Sequence, residues 1–123
     1  MADRAVDHAD DLQHAGPLAR GAALLRLLAT AGRRGAALST LAQATGLAAS
    51  TTHRLLGQLV AERLAMQLAD SRRYAIGPMA YELGLAAAQQ FDIRGLCRPA
   101  LQRLALEAGE TAYLVLCSGD EAV

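Results

Sequence analysis

The stretch Leu38-Ser39-Thr40-Leu41-Ala42-Gln43-Ala44-Thr45-Gly46-Leu47-Ala48-Ala49-Ser50-Thr51-Thr52-His53-Arg54-Leu55-Leu56 decides how this chain folds. Leu38, Leu41, Ala42 and Thr45 recur at three- and four-residue steps, the period of one helix face. Gly46 and Leu47 interrupt the run. Thr52, Leu55, Leu56, Leu59 and Val60 then resume the period in a second segment, from about Ala49 to Arg63. Two helices joined this tightly must cross closely. That crossing needs a small residue in the first helix and a glycine four residues on, at the turn. Ala42 and Gly46 meet the spacing, with Leu47 and Leu55 as apolar anchors. Thr52 stands where an apolar side chain is more usual, and its methyl can serve. The start of the first of these helices is left open, because Ala37 precedes Leu38 while Ser39 and Thr40 are cap-type residues for a later start.

An Ala-xxx-Gly spacing is a weak signal in so alanine-rich a chain, and its surroundings strengthen it. Upstream, Pro17 suits the first position of a helix. Leu18, Ala22, Leu25, Leu28 and Ala29 carry that helix to about Ala31, where Gly32 and Gly35 end it. Downstream, the period shortens towards two. Leu64 to Leu68 and Arg73 to Ile76 are short, partly alternating runs around the polar Ala69-Asp70-Ser71-Arg72, the pattern of a two-stranded hairpin. Three helices followed by a hairpin describe a winged helix-turn-helix over residues 16–77.

Beyond it, Gly77-Pro78 restarts a helix to about Gln90, with Met79, Leu83, Ala86 and Ala87 as its stripe. Another runs from about Ile93 to Ala108, with Leu96, Ala100, Leu101, Leu104 and Ala105 on one side and Gly109 as its cap. Thr111 to Cys117 reads as a continuous apolar strand, residues 118–120 as a turn, and residues 121–123 as a strand beginning. The expected class is therefore mostly α: a winged helix-turn-helix, a linker helix over 78–91, and an incomplete α+β segment over 92–123. A buried-type strand needs partners, so the last segment implies either a fragment of a longer protein or completion by another chain. Residues 1–15 are polar and without a clean period, and are expected to form a flexible acidic tail.

The whole chain of 123 residues has a formal net charge of zero, which at first argues against a polyanionic partner. The charge is segregated, however. Residues 1–15 carry Asp3, Asp7, Asp10 and Asp11 against Arg4, a net −3. Residues 16–81 carry Arg20, Arg26, Arg33, Arg34, Arg54, Arg63, Arg72 and Arg73 against only Glu62 and Asp70, a net +6. Residues 82–123 return to −3. A basic block coinciding with the winged helix-turn-helix points to double-stranded DNA. Every cation is arginine, which grips a phosphate or a guanine edge bidentately, although base composition alone also favours Arg over Lys.

The candidate contacts follow from the helical period. The face of the third helix opposite its apolar stripe bears Ala49, Ser50, His53, Arg54 and Gly57. Arg54 is a strong base reader, Ser50 and His53 are adaptable polar groups, and the small residues let backbone approach the groove floor. Thr51 and the amides at the helix start suit a phosphate. Arg72 and Arg73 lie at the hairpin tip, Arg20 lies on the first helix, and Ser39 lies at the start of the second. Taken singly, each of these reads equally as an ordinary solvated side chain; it is their placement on one motif that makes a site.

Other chemistries find no support. Ser50 and His53 share one helix, but no acid is placed to orient the histidine and no oxyanion hole is in sight. His8 and His14 lie in the tail without ligand spacing. Cys97 and Cys117 have no CxxC or His pairing, and read as reduced and buried in a cytoplasmic protein. No phosphate-binding glycine loop, zinc spacing, secretion signal or membrane-span-length apolar run is present. No catalytic residue, cofactor or metal is expected.

The run Ser50-Thr51-Thr52-His53-Arg54-Leu55-Leu56 after Thr45-Gly46-Leu47 resembles the DNA-binding domain of IclR-type bacterial transcription regulators. So do Tyr74-Ala75-Ile76-Gly77 at the end of the wing and Leu83-Gly84 in the linker helix. Pro99-Ala100-Leu101-Gln102-Arg103-Leu104-Ala105 with Gly109-Glu110-Thr111-Ala112 is similar to the opening of that family's effector-binding domain. Ala48 departs from the family, which often has Pro or Ser there. The resemblance implies a homodimer, or dimer of dimers, that binds a palindromic operator and represses or activates genes of small-molecule catabolism. It implies recognition by the helix matching Ala49–Arg63 and dimerisation helped by the helix matching Pro78–Gln90. A small organic effector is implied only where the effector domain is completed. A second expectation is an interaction module that pairs with full-length regulators through the linker helix and modulates them without sensing an effector itself.

Overall fold

The computed structural model describes residues 11–115, 117–118 and 121–122, and the chain divides after Tyr81 into two units. In the first unit, helix α1 spans Pro17–Ala31 and a short 3-10 turn Gly32–Arg34. Helix α2 spans Leu38–Thr45, helix α3 Ala49–Ala61, and strands β1 and β2 Ala65–Gln67 and Tyr74–Ile76. Helix α4, Pro78–Ala88, crosses the division between the units. The second unit adds helix α5, Ile93–Ala108, and the two-residue strands β3, Cys117–Ser118, and β4, Glu121–Ala122.

The three helices close on one apolar core. Leu24 and Leu28 of α1, Leu41 of α2, Leu55 and Leu56 of α3, Ala65 of β1 and Tyr74 of β2 are buried together, with Leu38, Leu47 and Leu59 packed at the margin. A buried leucine contributes roughly 1.5–3 kcal/mol relative to an exposed one, so this cluster carries the unit. The expected stripe of α1 is rotated. Gly21, Ala23, Leu24 and Leu28 face inward, whereas Leu18 is 88% exposed and Leu25 is half-buried. The chain supplies apolar residues on two adjacent faces of α1, so periodicity alone chose the wrong one.

Helix ends follow backbone chemistry. Pro17 begins α1, where its missing N–H costs nothing. Ala37 precedes α2 with no side-chain cap, so neither Ser39 nor Thr40 is the cap. Gly46 closes α2 in the left-handed conformation at φ 69, which a side chain would strain. Helix α3 stops at Ala61, two residues before the expected Arg63. Arg63 takes φ 60, and its carbonyl accepts the Met79 N–H at 2.9 Å. The sequence offers no glycine at that end, hence the longer expected helix. Val60, expected inside, is on the rim at 36% exposure.

The two core threonines satisfy their hydroxyls locally. Thr45 Oγ1 donates to the Leu41 carbonyl at 2.8 Å, and Thr52 Oγ1 to the Ala48 carbonyl at 3.0 Å. Each hydroxyl is bonded within or beside its own helix, so burial leaves no orphaned polar group.

Strands β1 and β2 pair antiparallel, Ala65 with Ile76, Met66 with Ala75 and Gln67 with Tyr74. The loop between them is closed by Leu68 N–H to the Arg73 carbonyl at 2.7 Å. The hairpin is fastened to the body by a bridge between Tyr74 and Ala36, a third strand position that the alternating pattern did not reveal. Gly77 follows because a Cβ there would lie 2.3 Å from the Arg63 carbonyl oxygen. This is a mostly helical winged helix-turn-helix.

Helix α4 ends at Ala88 rather than Gln90. In α5, Asp92 caps the N-terminus by accepting from Gly95 N–H at 2.8 Å, and Gly109 ends the helix at φ 67. The strand expected over 111–117 is not continuous, since only its last residue, Cys117, is in a strand among those described. Among the described residues, 111–115 carry no strand and the pairs are Cys117 with Ala122 and Ser118 with Glu121; Leu116 lies outside the described residues. A strand is made by its hydrogen-bonding neighbours, and no described residue pairs with 111–115. The expected turn at residues 119–120, and Val123, lie outside the described residues, as do residues 1–10 of the expected flexible tail. Residues 11–14 of that tail form a helical turn.

Candidate nucleic-acid interface

Burial of one side of α3 fixes what the other side presents. Thr52, Leu55 and Leu56 point into the core. Ser50, His53, Arg54 and Gly57 are exposed, and at three- and four-residue spacing they form one continuous face. Thr51 is half-buried at its edge. No side chain caps α3 and no acidic residue lies in its first turn. The leading amides of the helix therefore keep their partial positive charge for an anion. The result is a helix held rigidly from behind, with an arginine, a histidine and a serine in front.

The wing places its cations differently. Arg72 and Arg73 are both exposed, and Arg72 sits at φ 59 in the left-handed region. The tip is held by short-range bonds. Ser71 N–H donates to Asp70 Oδ1 at 2.8 Å, Arg72 N–H to the Leu68 carbonyl at 2.8 Å, and Gln67 Nε2 to the Arg72 carbonyl at 3.0 Å. These bonds hold the loop backbone, and the guanidinium groups of Arg72 and Arg73 stand exposed at its tip beside the exposed Asp70. Ser39 is exposed on the first turn of α2.

Arg20 is used otherwise. Its Nε donates to the Leu12 carbonyl at 2.9 Å, and a second guanidinium nitrogen donates to the Gln13 carbonyl. A phosphate contact by Arg20 would have to compete with these bonds. The pairing was not visible in the sequence, because nothing in the period of residues 1–15 suggested an ordered segment. Among the described residues, no group of three or more His, Cys, Asp or Glu side chains is gathered to hold a metal ion, and no helix is long and apolar enough to cross a membrane.

Comparison with known proteins agrees with this geometry. Residues 17–69 match the model of the IclR helix-turn-helix domain. The chain is 34% identical over 99 residues to the transcriptional repressor IclR of Escherichia coli strain K12, covering 80% of this chain and 36% of that protein. It is 39% identical over 97 residues to the glycerol operon regulatory protein of Streptomyces griseus, covering 79% of this chain and 38% of that one. Among solved structures, an IclR transcriptional regulator from Silicibacter sp. TM1040 superposes with a TM-score of 0.64 at 27% identity, over 87% of this chain and 42% of that chain. The chain thus spans well under half the length of the relatives it matches, and those relatives are regulators rather than enzymes. Residues 17–69 are a helix-turn-helix domain of the IclR family of transcriptional regulators.

Proposed function

We propose that this chain is the DNA-reading part of an IclR-type transcriptional regulator and binds a palindromic operator as a dimer. The observation that carries the reading is the division of α3, with Thr52, Leu55 and Leu56 buried behind an exposed Ser50, His53 and Arg54. Arg54 and the neighbouring polar groups read base edges in the major groove. Thr51, Ser39 and the start of α3 meet phosphates, and Arg72 and Arg73 meet the backbone or the minor groove. Arg20 adds a phosphate contact once it leaves the carbonyls that hold it.

Dimer formation rests on α4, the linker and dimerisation helix of the proposal. Its Tyr81 and Leu85, four residues apart and therefore on one helix face, are 69% and 53% exposed, an apolar pair that a partner helix would cover. Residues 92–123 are read as the opening of an effector-binding domain, and control by a small organic effector belongs to the protein in which that domain is complete. The same surface of α4 supports a second reading, an interaction module that pairs with other regulator subunits and modulates them.

The test is selection of duplexes from a random pool, followed by binding measured against salt. A recovered inverted repeat and a log–log salt slope of roughly −0.9 per phosphate neutralised are expected. No duplex binding at low salt would overturn the DNA reading, and a monomer in sedimentation would overturn both dimeric readings.

A further inference from the structure

Arg33 and Arg34 stand exposed on the 3-10 turn Gly32–Arg34 that follows α1. Arg20 is spent on backbone carbonyls; among the described residues, neither guanidinium of this turn has a hydrogen bond or an ion pair. The turn is fastened to the wing. Strand β2 pairs with β1 along one edge and with Ala36 along the other, so the segment leaving the turn borders the wing on the side opposite β1. The turn itself packs against β2. Gly35 comes so close to the wing that a Cβ there would lie 3.4 Å from the Cβ of Arg73. Arg34 is one Cα step of about 3.8 Å before it. Arg33 and Arg34 therefore adjoin Arg72 and Arg73 in one basic surface.

Four like charges gathered this closely repel one another, and little answers them. Of the described carboxylates in the first unit, Asp11 and Glu62 line grooves along α1. Asp70 is the one at the wing, where its Oδ1 accepts the Ser71 N–H. A polyanion relieves that repulsion, and each phosphate neutralised adds affinity by releasing a counterion. Arginine suits the task, because its planar fork grips a phosphate bidentately. A duplex that meets the wing tip continues past it, so its next backbone phosphates are the anions this border is placed to take.

From this we infer that Arg33 and Arg34 hold the DNA backbone beside the stretch met by the wing tip, which widens the interface across β2 to the turn after α1. The inference rests on the DNA-binding reading. Phosphates carry no sequence, so the two arginines add affinity equally to every duplex and leave base preference to α3. The competing role is local. Cations just past the C-terminus of α1 also suit the helix dipole, and in that role they would serve the fold alone.

The experiment uses the full chain and a random-sequence duplex, with fluorescence anisotropy across a salt series from about 50 to 200 mM. One variant carries Arg33→Gln and Arg34→Gln. A charge-matched control carries Arg94→Gln and Arg98→Gln in α5, and a third protein carries Arg33→Lys and Arg34→Lys. The first variant is expected to bind about tenfold more weakly at low salt, with a log–log salt slope shallower by about two. The control and the lysine variant, which keeps both charges, are expected to retain the slope of the unmodified chain. In the unmodified chain, duplex titration is expected to move the amide resonances of Arg33, Arg34 and Gly35 together with those of Arg72 and Arg73. An unchanged slope in the glutamine variant, an equal fall in the control, or wing resonances that move while those of the turn stay still would overturn the inference. A lower melting temperature of the glutamine variant with binding unchanged would overturn it too, and would assign both arginines to the α1 dipole. If the unmodified chain binds no duplex at low salt, the DNA reading itself falls and the inference falls with it.

Discussion

The backbones of Ala36 and Tyr74 are bonded in both directions, Ala36 N–H to the Tyr74 carbonyl at 2.8 Å and Tyr74 N–H to the Ala36 carbonyl at 2.9 Å. This pair joins the wing to the segment between α1 and α2, so the reading helix and the wing share one frame. Gly35 makes the approach possible. It sits at φ +65, and a Cβ there would lie 2.4 Å from the Tyr74 carbonyl oxygen. Gly35→Ala therefore meets both a left-handed backbone and a backbone collision, and neither is relieved by a rotamer change. A loss of about 2 kcal/mol or more is expected in chemical denaturation. Unchanged stability would mean that the bridge is dispensable.

Core chemistry separates size from polarity. Leu56 is fully buried, so Leu56→Ala is expected to cost roughly 2–5 kcal/mol through lost transfer energy and the cavity left behind. Thr52 is equally buried, yet its hydroxyl is spent on the Ala48 carbonyl one turn back, whose principal bond is to the Thr52 N–H at 2.9 Å. Thr52→Val keeps the volume and removes a donor whose acceptor remains satisfied, so a change within about 1 kcal/mol is expected. Denaturant titration of the two variants side by side checks the contrast. A loss from Thr52→Val as large as that from Leu56→Ala would show the hydroxyl to be essential.

The helix-turn-helix was legible because its signals are local and agree. The 3.6-residue period, the small Ala42 and the left-handed Gly46 all specify one crossing. The exposed face of α3 followed from the same period. What stayed hidden was non-local. The choice between two apolar faces of α1 depends on where α3 lies, and the Ala36–Tyr74 bridge joins residues whose side chains carry no pairing code. A hydrogen bond from Gln13 Nε2 to the Gly46 carbonyl spans thirty-three positions of sequence. Arg63 at φ 60 is a further case, since an arginine gives no warning of a left-handed helix end. Residues 111–115 were misread for the opposite reason. Their composition suits a strand, but composition cannot supply the neighbouring strands that make one.

Arg72 offers a way to part backbone from charge. It occupies the left-handed region at φ 59, where an L side chain is mildly strained and glycine is at ease. Arg72→Gly is therefore expected to leave thermal stability unchanged or slightly raised. If Arg72 meets a phosphate, the same substitution weakens binding to all duplexes alike and lowers the salt slope by about one. A variant that melts earlier would assign Arg72 to the fold, and an unaltered salt slope would remove it from the interface.

Arg54 can be tested for base reading rather than mere attraction, by a pair of substitutions. Arg54→Lys keeps the positive charge but replaces the planar fork with a point charge. Arg54→Ala removes both. If Arg54 only adds to the field, the lysine variant binds operator and random duplex as the parent does. If it grips a base edge bidentately, both variants lose about 1–3 kcal/mol on the operator and much less on random DNA. The salt slope then falls only in the alanine variant. Arg54 is exposed on a helix anchored by Leu55 and Leu56, so neither substitution is expected to disturb the fold, and circular dichroism of each variant checks this. Loss in Arg54→Ala with full retention in Arg54→Lys would reassign Arg54 to phosphate and leave Ser50 and His53 to carry the reading.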